Sequence, residues 1–304
     1  MSVFRQPEWD NFARVGCQRP WLWPRYGWDL SRLVWRRIVS ALRMRISGSG
    51  HRGLKCWPGW LDSGDIGQIA AGQGSMSFPA YPPQFQQMPA SPAAGPRFEA
   101  NDPEGYFFQH RWENCFAAAL GNESAAEAAL AETLAWIRNP PAKSDAAWEP
   151  YSSCERVVNL AVMLSVHASC RRVAEAGHAT EISVFFAESI RWINGRLEYY
   201  GIARTNNHIL NNARALVVAG SVLGDEAAVE RGLLLFERMA KQLFQSEGFL
   251  RERSSHYQCV VTNWLLDVLH FARAASSSRM RALSVITELN ALSIRVSGAT
   301  ALLV

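Results

Sequence analysis

The 304-residue chain is predicted to be all-α from Tyr106 onward, and three features of the sequence carry that prediction. Apolar residues recur at three- and four-residue spacings, β-branched runs are few, and turn-forming residues interrupt the pattern at short intervals. The interruptions fall at Gly121–Asn122, Asn139–Pro141, Gly177, Gly201, Gly224 and Gly248. Between them the spacing predicts helices over 106–120, 123–138, 151–175, 179–199, 205–223, 226–245 and 255–275. A last segment, 279–304, is moderately apolar and supplies one more helix, with no strand-rich region after it. Successive helices with short connections form a bundle, a solenoid or an α/α toroid, and the pattern alone does not choose among them.

The first part of the chain reads differently, which divides it into 1–97 and 98–304. Residues 1–60 hold seven of the twelve tryptophans and eleven Arg and Lys against three Asp and Glu, so the net charge of +4 is concentrated there and the remainder is net acidic. Over Trp28–Ile46, Leu33, Val34, Ile38 and Leu42 make a helical stripe beside Arg32, Arg36, Arg37, Arg43 and Arg45. That is a basic amphipathic helix. Two placements fit it: docked on the body of the protein with its arginines in water, or laid on an anionic lipid surface. Residues 47–97, rich in Gly, Pro, Ser and Gln, read as loop and linker. No apolar run approaches the roughly 18–20 residues that span a bilayer, and no secretory signal is read at the N-terminus. The six cysteines include no CxxC pair and read as buried thiols rather than a zinc ribbon or redox pair. No metal or cofactor motif is read.

Three polar clusters interrupt the apolar pattern. In Arg204-Thr205-Asn206-Asn207-His208-Ile209-Leu210-Asn211-Asn212, four asparagines crowd the start of a helix although Asn is a poor helix former. Thr205 or Asn206 explains itself as a cap. On the helix Asn207 and Asn211 share one face, as do His208 and Asn212, so amides and an imidazole project together. In Glu252-Arg253-Ser254-Ser255-His256-Tyr257, Ser254 is a natural N-cap that sets His256 and Tyr257 in the first turn of an apolar helix. In Trp148-Glu149-Pro150-Tyr151…Arg156…Asn159, Arg156 and Asn159 lie three apart on one face. Arginine's planar fork suits a carboxylate-bearing substrate, and an internal salt bridge to Glu155 or Glu149 is the alternative. Each cluster reads equally as a set of satisfied structural groups.

In this order and spacing the three clusters resemble the consecutive motifs of the heparinase II/III and alginate lyase superfamily, over residues 98–275. The resemblance implies an incomplete α/α toroid of antiparallel helix pairs, with the family's C-terminal β-sandwich absent. It implies a polysaccharide lyase. The family cleaves uronic-acid polysaccharides by β-elimination: a base takes the C5 proton, an acid protonates the leaving glycosidic oxygen, and a C4–C5 double bond remains. Developing negative charge at the carboxylate requires hydrogen-bond donors, and proton transfer requires an acceptor and a donor within reach. By resemblance Asn207 stabilises that charge, while Tyr257 and His208 exchange protons. Arg156, Asn159, Tyr151, Asn211, Glu252 and His256 then contact substrate. The implied partner is an acidic polysaccharide, with a separate β-sandwich chain as a candidate for completing the cleft, and the implied location is periplasmic or extracellular. No cofactor or metal is implied. The sequence departs from the family in placing Gln258 after the tyrosine, where His is common.

Two other readings compete. A glycan-binding toroid without turnover needs the same groove, and an α/α glycoside hydrolase needs paired carboxylates across it. Glu252 and Asp267 are available for the latter but stand in no hydrolase motif. No nucleic-acid motif accompanies the basic N-terminus, so no nucleic-acid partner is expected.

Overall fold

A computed structural model describes residues 76–79, 103–143, 145–200, 205–252, 254–275 and 280–303. The basic helix expected over 28–46, and most of the expected linker, lie outside the described residues. Helices α1 (Pro103–His110), α2 (Glu113–Ala119) and α3 (Glu123–Arg138) lead through a 3₁₀ turn (Ala146–Trp148) into α4 (Pro150–Val166). There follow α5 (Ala168–Gly177), α6 (Ala179–Asn194), α7 (His208–Leu223), α8 (Glu226–Leu243), α9 (Ser255–Ala274) and α10 (Met280–Ala301). The chain is all-α: among the described residues strand pairing is limited to an isolated bridge between Phe244 and Leu250.

Local chemistry sets many of the helix ends. Asn122 and Asp225 accept the backbone N–H of Ala125 and Ala228, and Ser254 accepts that of Tyr257, as expected of N-caps. Gly224, at φ 68°, closes α7 in the left-handed conformation that a side chain would resist. Two of the expected helices are instead broken in two. The first breaks at Trp112, which adopts φ 54° and buries its indole between Trp136 and Phe185. The second breaks at His167, whose Nε2 reaches the Ala118 carbonyl at 2.8 Å. Neither break carries Gly or Pro, so tertiary packing rather than turn chemistry makes them.

Helix α7 is the hub of the body, packing against α4, α6, α8 and α9. Every residue from Ile209 to Val222 is buried. Its partner α8 approaches so closely that a Cβ on Gly232 would stand 2.7 Å from the Ala213 carbonyl oxygen and 2.9 Å from the Val217 nitrogen. Within the expected linker, the Ser77 amide donates to the Val222 carbonyl at 2.9 Å and Phe78 is buried against Phe186. Residues 199–205 group apart from this body and are described by themselves: the Tyr200 amide donates to Thr205 Oγ1 at 3.0 Å.

Gly232→Ala should lower the unfolding free energy by about 1–3 kcal/mol, the usual cost of overpacking a core. Gly177→Ala, where a Cβ meets nothing within 4 Å, should be neutral or slightly stabilising. Denaturant unfolding of both variants checks the contrast.

Candidate functional site

The N-terminus of α7 is the place where the polar clusters meet. Asn206 Oδ1 accepts the His208 amide at 3.1 Å, which leaves His208 at the mouth of the helix with Asn207 buried beside it. Asn207 Nδ2 donates to Glu252 Oε2 at 3.1 Å, so the turn before α9 is drawn to the start of α7. The His208 ring lies 5.1 Å from that of Tyr151, which also faces Trp264 and carries the Arg111 guanidinium at 4.8 Å. Arg111 is held from two sides, by Glu149 at 3.3 Å and by Ser152 Oγ at 3.2 Å.

Glu198 governs the charge of this mouth. Asn212, fully buried, donates through Nδ2 to Glu198 Oε2 at 3.0 Å and accepts the Glu198 amide at 2.6 Å. The clamped carboxylate then meets His208 Nδ1 at 3.1 Å. A carboxylate only accepts, so Nδ1 is the donor and Nε2 is the nitrogen left to bind substrate or exchange a proton. The hydrogen bond to Glu198 raises the His208 pKa above 6.5 against the opposing effect of burial, with Glu149 and Glu252 adding to the rise. Burial pushes the Tyr151 phenol up, with Glu155 adding to it, which keeps its proton in place as a donor. The imidazole side chain is 41% exposed. The mouth therefore offers an imidazole biased toward its charged form and a phenol, beside a guanidinium already paired with Glu149.

Beneath it, Asn211 Nδ2 donates to Glu155 Oε1 at 2.7 Å, and Arg214 joins Glu155 at 3.3 Å to Asp267 at 2.7 Å. Asp267 is thus occupied in an internal ion pair. Asn211 is fully buried and serves this floor rather than an open face.

The structure gathers His208, Asn207, Tyr151 and Glu252, and it places three expected substrate contacts in buried internal pairings. Arg156 is 1% exposed. Its guanidinium donates to the carbonyls of His110 and Ala147 and lies 4.5 Å from the Trp136 ring, so it ties α4 to the preceding chain instead of facing solvent. Burial lowers its pKa to about 9. Neither expected salt-bridge partner is used, because carbonyls are what the crowded start of α4 presents to it. Asn159 is also buried and donates to the Arg111 carbonyl at 3.0 Å, positioning the cation rather than the substrate. Asn211 is the third.

Tyr257 and His256 occupy the first turn of α9 as expected, exposed and with rings 5.4 Å apart. The unusual Gln258 is buried: it accepts the Leu250 amide at 2.7 Å and donates to the Gly248 carbonyl at 3.0 Å, fixing the turn that leads to Glu252. Sequence reasoning missed Arg111 and Glu198. Glu198 had a signal, an acid flanked by Leu197 and Tyr199 just ahead of the asparagine cluster, whereas Arg111 stands in no pattern.

Compared with family models, curated proteins and solved structures, the chain matches none of them. Among the described residues no helix is long and apolar enough to cross a membrane.

Glu198→Gln should move the His208 titration down toward 6.5, followed by NMR of the imidazole. A raised folded-state pKa stabilises fully below the unfolded value and loses that contribution as pH rises through the folded one. The variant should therefore lose more stability near pH 6 than near pH 9.

Proposed function

We propose that this chain carries the helical, sugar-binding domain of a heparinase II/III-type polysaccharide lyase, built as an α/α toroid and acting on uronic-acid polysaccharide by β-elimination. One observation carries the reading: Asn207, His208 and Tyr151 cluster at the mouth of α7, with Arg111 on the Tyr151 ring. An imidazolium, an amide, a phenol and a guanidinium are what a uronate needs to spread the negative charge that develops as C5 loses its proton. Asn207 and Arg111 face the carboxylate in this reading. Tyr257, acting in its phenolate form, takes the C5 proton and becomes the phenol, the C4–O bond breaks as the C4–C5 double bond forms, and His208 gives its Nε2 proton to the leaving oxygen. Glu198 keeps His208 charged for that step. A β-sandwich, in this chain's partner or elsewhere, completes the cleft by analogy with the family, and action on such polymers places the protein in the periplasm or outside the cell.

Glycan binding without turnover is the second reading. It is favoured by the exposure of Tyr257, 42% open to solvent and packed with His256.

The test is incubation with heparan sulfate, alginate, glucuronan and hyaluronan while the ultraviolet absorbance of the new double bond is followed. A rise on one of them is expected, reduced about 10²–10⁴-fold by Tyr257→Phe or His208→Ala. Retained binding with no rise on any polymer selects the second reading.

A further inference from the structure

A cavity of about 660 Å³ opens between α3, the turn after it, and the α5–α6 junction. Its size falls within the ~300–1,000 Å³ typical of small-molecule sites. None of its lining residues belongs to the cluster around His208. Three aromatic side chains wall it, Trp136, Trp148 and Phe185. They are fixed from behind, Trp136 Nε1 donating to His110 Nδ1 at 3.0 Å and Trp148 Nε1 to the Pro141 carbonyl at 2.9 Å. The indole N–H groups are thus satisfied, and the half-buried Trp136 is the most open of the three rings, Trp148 and Phe185 being buried.

Two charged groups on the rim differ from the rest. Arg138 and Glu181 neutralise each other at 2.7 Å. Lys143 instead lays its ammonium 3.0 Å from the centre of the Trp148 ring and 5.0 Å from that of Trp192, with no carboxylate within ion-pair distance among the described residues. Burial lowers its pKa to about 8, against the nearby charge of Glu188. The amine rests on a π face, the weaker of the partners open to it. Glu188 is exposed on the same wall.

We infer that this cavity is a second glycan subsite, in which an acidic sugar packs its C–H face on Trp136, gives its carboxylate to Lys143 and donates its hydroxyls to Glu188. The combination selects its ligand. A purely apolar molecule leaves both charges unmatched, a simple anion makes no use of the ring faces, and a neutral sugar leaves the ammonium on Trp148. The inference rests on the proposal that the protein handles uronic-acid polymers, and it adds a point of attachment away from the reacting bond. Binding energy collected there holds the polymer without taking part in proton transfer.

The probe is a short unsulfated glucuronan oligosaccharide, with a neutral glucan of equal length as control, titrated by calorimetry into the full chain. In the His208→Ala/Arg111→Ala background, which strips the α7 mouth of both its cations, the acidic oligosaccharide should still bind and quench tryptophan fluorescence. Adding Lys143→Gln should weaken that binding about tenfold, the loss expected for one charge-assisted hydrogen bond. Adding Glu188→Gln should weaken both oligosaccharides. The two side chains are exposed, and an unchanged melting temperature verifies the fold. Binding that is lost in that background, or that ignores Lys143→Gln, overturns the subsite, as does the absence of any binding. Lys143-dependent binding with no contribution from His208 or Arg111 and no double-bond formation supports the subsite while removing the lyase reading.

Discussion

Everything at the mouth of α7 depends on burying a helix that carries Asn211, Asn212 and Arg214 among its apolar residues. A buried amide or guanidinium without a partner costs about 1–3 kcal/mol, and more when charged. Each of these three is answered by a carboxylate from another part of the chain: Glu155 for Asn211, Glu198 for Asn212, Asp267 and Glu155 for Arg214. Asn211 and Asn212 are fully buried and Arg214 nearly so, which keeps water from serving instead. The polar floor therefore specifies which neighbouring elements surround α7, and in what register.

Function grows from the end of that arrangement. Asn212 needs a partner for structural reasons, and the carboxylate it recruits has a second oxygen to give. Glu198 spends that oxygen on His208, one helical turn away on the same face, and so transmits a packing requirement into the protonation of an exposed ring. Asn159 acts alike on the other side, holding the Arg111 carbonyl so that the guanidinium lies over Tyr151. Buried residues position, and their partners meet the solvent.

That division explains what was legible in the sequence. Helices with strong periodicity and ordinary caps, 123–138, 226–243 and 255–274, fall close to where the pattern puts them, because local chemistry decides their ends. The splits at Trp112 and His167 were invisible, since a buried indole and a distant carbonyl impose them. The asparagine cluster announced polar business at the start of α7, yet could not say that Asn207 pairs with Glu252 while Asn211 pairs with Glu155. Arg156 misled for a related reason: arginine and asparagine three apart mark one helical face, and a face turned toward carbonyls of the same chain has the same spacing as one turned toward substrate. Glu198 and Arg111 come from separate connections, and only the fold brings them to His208 and Tyr151.

We propose that the mouth of α7 receives a uronate. The most direct measurement is an NMR titration of the full chain with a uronic-acid oligosaccharide, following the His208 imidazole and the Asn207 side-chain amide. Saturable shifts at both, with the imidazole drawn further toward its charged form, are the predicted result. Resonances that stay in place while the oligosaccharide binds elsewhere, or does not bind, contradict it.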